Sequence, residues 1–150
     1  MSKDEIETAV SYPSGLRFEC QRCSRCCTDT EARERRIVLL RAEVELIARA
    51  KGITPETFAF PNAAVGLPYR FSMKKMGGKC IFLRGTECAV YEARPLVCRF
   101  YPFELKRSRR GGYEFTVTRE DCPGLGQGRP LPARFFKELF AYAEHLFQAS

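Results

Sequence analysis

The sequence predicts a small α+β domain: a short antiparallel sheet with flanking helices, a cysteine-rich loop, and a C-terminal amphipathic helix. Three observations predict it. Two segments carry helical periodicity, 41–51 and 132–148. Between them lie short apolar runs separated by glycine turns, the mark of small antiparallel strands. The 150-residue length suits one domain over 1–150, large enough to bury roughly 70% of its unfolded surface.

The elements follow in order. Residues 1–17 read as an irregular arm and 18–30 as a loop. Arg35–Leu40 (RRIVLL) is a strand. Arg41–Lys51 places Val44, Ile47 and Ala48 on one face and stops at Gly52, so it is a helix. Thr54-Pro55-Glu56 supplies an N-cap and a proline at the first helical position, opening a short helix to about Phe60. Tyr69–Met73, Lys79–Leu83 and Glu87–Tyr91 are strands, separated by turns at Gly77-Gly78 and Arg84-Gly85-Thr86. Phe100–Lys106 and Tyr113–Thr118 flank SRRGG and form a hairpin. The stretch with Gly124, Gly126, Gly128 and Pro130 reads as irregular. In the last helix, Phe135, Phe136, Leu139, Phe140, Ala143, Leu146 and Phe147 share one face and should dock on the sheet.

Composition narrows the function classes. No run of 18 apolar residues is present, which excludes a membrane-spanning helix. The opening MSKDEIETAVSYPSG lacks the apolar core of an export signal, so the expected compartment is the cytoplasm. The formal net charge of +7 permits an anionic partner. Its excess sits at Arg33–Arg36 and Lys106–Arg110. Without interleaved aromatics, a solvated basic face is favoured over nucleic-acid binding through 106–110, and a protein partner is left open.

The chemistry lies in eight cysteines. Cys20, Cys23, Cys26 and Cys27 crowd into eight residues, and Cys80, Cys88, Cys98 and Cys122 follow at wider intervals. Disulfides are disfavoured by a reducing compartment and by the adjacency of Cys26 and Cys27. A zinc site usually takes two short knuckles, and the later cysteines offer no second one. An iron–sulfur centre, 4Fe-4S for example, would use Cys20, Cys23 and Cys26 at three corners, with Cys122-Pro123 as the distant Cys-Pro. Iron–sulfur is therefore placed ahead of zinc. Either centre carries about two net negative charges with four thiolates, so Arg22, Arg25, Arg94 and Arg99 are candidate neighbours. The pair Cys26-Cys27 points to a second centre or a spare reactive thiol. The one histidine, His145, reads as a helix-surface residue.

No H-E-x-x-H, G-x-S-x-G or phosphate-binding loop occurs. Gly124-x-Gly126-x-Gly128 is not set in a strand–loop–helix unit. Glu104, Glu114, Glu120 and Asp121 have no spacing that marks a general base. No catalytic residue is assigned, and enzymatic activity stays open.

FxCxxCxxCC, GGKCIFL, ECAVYEARPLVCRFYPF and CPGLGQG together resemble the CxxCxxCC cysteine-cluster (YkgJ-type) family, described as zinc- or iron-chelating. The resemblance covers about 18–128. It implies that all eight cysteines are candidate metal ligands and that Tyr91, Arg94, Pro95, Arg99 and Pro102 belong to the framework of the site. The family is also similar to the cysteine-rich part of flagellin lysine N-methylases. Protein-lysine methylation and S-adenosylmethionine enter through that link alone.

Overall fold

A computed structural model describes residues 10–31, 33–118 and 122–150. Glu120, Asp121 and the first nine residues of the expected arm lie outside the described residues. In chain order the strands begin with β1 (Val10–Ser11), β2 (Arg17–Phe18) and β3 (Val38–Leu39), followed by helix α1 (Arg41–Lys51). Next come β4 (Ala59–Pro61), β5 (Phe71–Met73), β6 (Lys75–Met76), β7 (Lys79–Cys80), β8 (Leu83–Arg84) and β9 (Glu87–Cys88). A short helix α2 (Leu96–Phe100) precedes β10 (Phe103–Arg107), β11 (Tyr113–Val117), β12 (Leu125–Pro130) and α3 (Ala133–Ala149). The α+β class is thus observed, as several small sheets.

The chain forms two compact units. Of the described residues, the first takes in 10–21, 100–118 and 122–143. Its centre is the β10–β11 hairpin, antiparallel from Phe103↔Val117 to Arg107↔Tyr113. The expected hairpin is present, with its first strand starting three residues later than predicted. Part of the N-terminal arm is ordered: β1 pairs parallel with β11, Val10 opposite Tyr113. The glycine-rich stretch is also a strand, β12, antiparallel to β2 with a register shift between Leu125 and Pro130. Helix α3 docks on the hairpin as expected. The Phe136 ring lies 5.2 Å from Phe103, 5.4 Å from Phe115 and 5.1 Å from Tyr12, the last stacked. Phe140 lies 5.5 Å from Tyr113. Such aromatic pairs add to the area they bury.

The second unit takes in Arg22–Arg99 and Glu144–Ser150. Its three-stranded sheet has the order β3-β5-β4, and two hairpins follow, β6–β7 and β8–β9. Gly77 (φ 60°) and Gly78 (φ 75°) join β6 to β7, and a two-residue hairpin loop of this kind needs two positive φ values. The core gathers Ile37, Leu39, Val44, Ile47, Phe58, Ala59, Met73, Phe82 and Val90 with Cys27 and Cys80. Several expectations are shortened. The strand at 35–40 is regular only over β3, and Glu87–Tyr91 is strand only at β9. The expected helix to Phe60 is a single 3-10 turn, Pro55–Thr57, because the chain then joins the sheet as β4. After Pro95 the chain forms a five-residue helix, α2.

Candidate metal centre

Six of the eight cysteines fall in the second unit and two in the first. Within the second unit, Cys27 and Cys80 belong to the buried core, and Cys26, Cys88 and Cys98 pack against it. Four separate segments deliver these five thiols. Arg22 (φ 54°) and Ser24 (φ 60°) are left-handed, and a 3-10 turn at Arg25–Cys27 then turns Cys27 inward. Non-glycine residues visit this region at some cost. The loop is tied to the first hairpin: Asp29 N donates to Gly78 O at 2.7 Å, and Thr28 bridges Lys79.

Cys80 and Cys88 are presented alike. Each ends a two-residue strand, opposite Lys75 and Leu83 respectively. Each thiol accepts from the backbone N–H two residues on, Phe82 for Cys80 and Val90 for Cys88. Such donors favour the thiolate and the metal-bound form. Cys98 lies on α2, whose first turn is closed by Cys98 N and Arg99 N donating to Pro95 O, both at 3.0 Å.

The thiols feel one another's charge. Burial pushes Cys80 and Cys88 up, with Cys26 adding to both. Burial pushes Cys98 up to about 12, against the pull of Arg35. Cys26 Sγ lies 3.7 Å from Cys27 Sγ. Their contact holds Cys26 down to about 6, with Arg35 and Arg94 helping, and pushes Cys27 up. Cys26 is the more acidic of the pair because the Cys27 thiol hydrogen-bonds to it, with the Arg35 and Arg94 guanidinium groups adding to the effect.

The framework residues resolve into distinct roles. Pro95 is fully buried at the entry to α2. The Arg94 guanidinium lies 4.0 Å from the centre of the Tyr91 ring, which is exposed, and Nη1 donates to Tyr91 O at 2.9 Å. Arg99 donates to Arg94 O and Glu92 O, each at 2.9 Å, bracing the turn before α2. Pro102 is buried in the first unit.

Two residues that the sequence reading does not single out touch the segments bearing these cysteines. Arg35 is only 5% exposed. Its Nε donates to Cys26 O at 2.7 Å and its Nη2 to Val97 O at 3.2 Å. Its place in a basic run suggests a solvated face, yet alternation along the strand carries the opposite signal, because Arg35, Ile37 and Leu39 are all buried. Glu43 is buried, and its two oxygens accept from Leu40 N at 3.0 Å and Leu96 N at 2.6 Å. It fastens the start of α1 to the start of α2, the helix that bears Cys98. Its position three residues into α1 was the signal, masked because Leu40 rather than Ser or Thr precedes the helix.

The remaining three cysteines are not among the residues of this core. Cys23 is exposed. In the first unit, exposed Cys20 and buried Cys122 lie on neighbouring segments, since Glu19 N donates to Gly124 O at 3.0 Å. Gly124 is required there: a Cβ would sit 2.3 Å from Glu19 O. His145 is exposed on α3, as expected. The basic hairpin tip borders a groove of about 540 Å³ that also includes Glu114. No helix among the described residues is long and apolar enough to cross a membrane.

Among the described residues, no three His, Cys, Asp or Glu side chains are gathered tightly enough to hold an ion as they stand. The donor chemistry nevertheless fits a soft metal, because the clustered groups are all sulfur. A family model described as "CxxCxxCC: Putative zinc- or iron-chelating domain" matches residues 19–123. The chain belongs to this family. The family is one of metal chelation, and its description names zinc and iron but not S-adenosylmethionine. The chain is also similar to the uncharacterized protein MJ0661 of Methanocaldococcus jannaschii, 27% identical over 140 residues, covering 89% of this chain and 70% of that one. No solved structure matches.

Proposed function

We propose that the 22–99 segment holds a metal centre on the thiolates of Cys26, Cys80, Cys88 and Cys98, with Cys27 as a fifth sulfur, and that the centre is iron–sulfur. The observation that carries this reading is the gathering of five thiols from four segments at one core, two of them already accepting backbone N–H bonds. Five sulfur donors exceed the four corners of a zinc tetrahedron. An all-sulfur set is the usual ligation of iron–sulfur centres, whose potential is tuned by hydrogen bonds to sulfur. When bound, such a centre supplies a one-electron couple. The chain's own residues position the thiols: the Gly77-Gly78 turn sets Cys80, Pro95 starts the helix of Cys98, and Glu43 anchors that helix. Cys20, Cys23 and Cys122 are candidate ligands outside this group.

Anaerobic purification with metal analysis and absorption spectra tests the reading. Iron with acid-labile sulfide, lost in Cys80→Ser, is the expected result. A colourless protein with stoichiometric zinc would overturn the iron–sulfur assignment. A chain that takes up no metal in either form would overturn the centre itself.

A further inference from the structure

Arg35 does more than fill the core. Its side chain reaches back nine residues to Cys26 O and across 62 residues to Val97 O. It therefore joins the cysteine loop to the helix that carries Cys98. Its own backbone is fixed as well, with Arg35 N donating to Asp29 Oδ1 at 2.7 Å. Asp29 in turn accepts from Lys75 Nζ at 2.9 and 3.0 Å on the hairpin that leads to Cys80. One buried residue thus touches or braces three of the segments that supply thiols, and its positive charge acts on Cys26, Cys80 and Cys98.

A centre ligated by four thiolates accumulates about two net negative charges, whether the metal is Zn²⁺ or a 2+ cubane. Burying such charge in an apolar core is costly unless an opposite charge is buried beside it. A guanidinium suits this task, because its planar fork satisfies two carbonyls while its charge stays delocalised. We propose that Arg35 is the positioning clamp and internal counter-charge of the thiolate centre: it fixes the Cys26 and Cys98 segments and offsets the negative charge of the bound thiolates. This inference rests on the thiolate-centre reading above and adds a residue that ligates nothing itself.

The test compares Arg35→Lys and Arg35→Gln in the full chain, with Co²⁺ as the probe, titrated anaerobically by its thiolate charge-transfer absorption. Both substitutes can donate to one carbonyl, so neither keeps the fork, but only lysine keeps the charge. Affinity should fall in the order Arg, Lys, Gln. The Gln variant should lose about 10–100-fold, the size of effect typical of residues that support ligands, and Lys should recover part of it. Circular dichroism of each variant reports the fold. Equal affinities for Lys and Gln, or a Gln variant as tight as wild type, would overturn the counter-charge. Loss of fold in Gln with retention in Lys supports it. Loss of fold in both, even with Co²⁺ present, would overturn it by assigning Arg35 to the fold alone. A wild-type chain that binds no Co²⁺ would instead refute the thiolate centre on which the inference stands.

Discussion

Glu43 should make the stability of this protein fall as pH rises through the neutral range. Burial holds its carboxyl proton, raising it from an ordinary 4.5 to about 7, against the opposing pull of the Leu40 and Leu96 N–H groups and of Arg99. Below about pH 4.5 the group is protonated in the folded and unfolded states alike, and its contribution is at its most favourable. Between 4.5 and 7 the unfolded chain releases the proton while the folded chain keeps it, so stability declines. Above 7 the decline levels off. The interval corresponds to about 3 kcal/mol, at 1.36 kcal/mol for each tenfold change in proton concentration. Only 3% of Glu43 is exposed, so solvent screening does little to reduce this. Glu43→Gln removes the titration. It also points an amide NH₂ at one of the two backbone N–H donors, leaving that donor unsatisfied at a cost of about 1–3 kcal/mol. The assay is urea denaturation of both proteins from pH 4.5 to 8.5 under reductant, read as the difference between them so that other titrating groups cancel. At pH 5 the wild type should be the more stable by about 1–3 kcal/mol. By pH 8 the two should converge or cross. A difference that stays constant across the series would show that Glu43 ionises in the folded state as freely as in the unfolded chain.

Two further outcomes are expected. Gly124→Ala should be strongly destabilising, because its Cβ would meet the Glu19 carbonyl oxygen at 2.3 Å, and backbone cannot yield as a side-chain tip can. We expect a loss of at least about 2 kcal/mol, or roughly 4–8 °C in melting temperature for a chain of this size; an unchanged melting curve would contradict the close pairing of β2 and β12. Brief alkylation of the native, metal-free protein with iodoacetamide should label Cys20 and Cys23 before Cys27, Cys80 and Cys122, since the first two are exposed and the other three buried. Peptide mass mapping over time would reveal any other order.

The features legible in the sequence are those fixed by local chemistry. Helices α1 and α3 repeat their apolar residues over three or more turns, and the β6–β7 hairpin is announced by paired glycines. Elements that depend on distant partners were hidden. Strand β12 contains two glycines and a proline and has little intrinsic preference for extension; it is strand because β2 lies beside it. Strand β1 is ordered by β11, far along the chain. Helix α2 has five residues, too few for periodicity to register. At the site, the spacing of Cys20, Cys23 and Cys26 suggested one wrapping loop. The structure packs Cys26 and Cys27 at one core with cysteines from three later segments, and Cys23, which precedes the left-handed Ser24, is exposed. Arg35 escaped notice because charge patterning and strand alternation gave opposite readings of the same residue, and alternation prevailed.

The parallel pairing of Val10 with Tyr113 has a consequence for how the chain is made. Strand β1 leaves the ribosome about 100 residues before its partner, which at 5–20 residues per second is a wait of roughly 5–20 s. Cys20 to Cys27 emerge during that interval, while Cys80, Cys88 and Cys98 are still unsynthesised. For several seconds the nascent chain therefore displays these four cysteines with no core to receive them. On the ligand set proposed above, any metal captured then would be held by different thiols from those of the finished protein, and loading of the proposed centre would belong to the period after residue 98 has appeared.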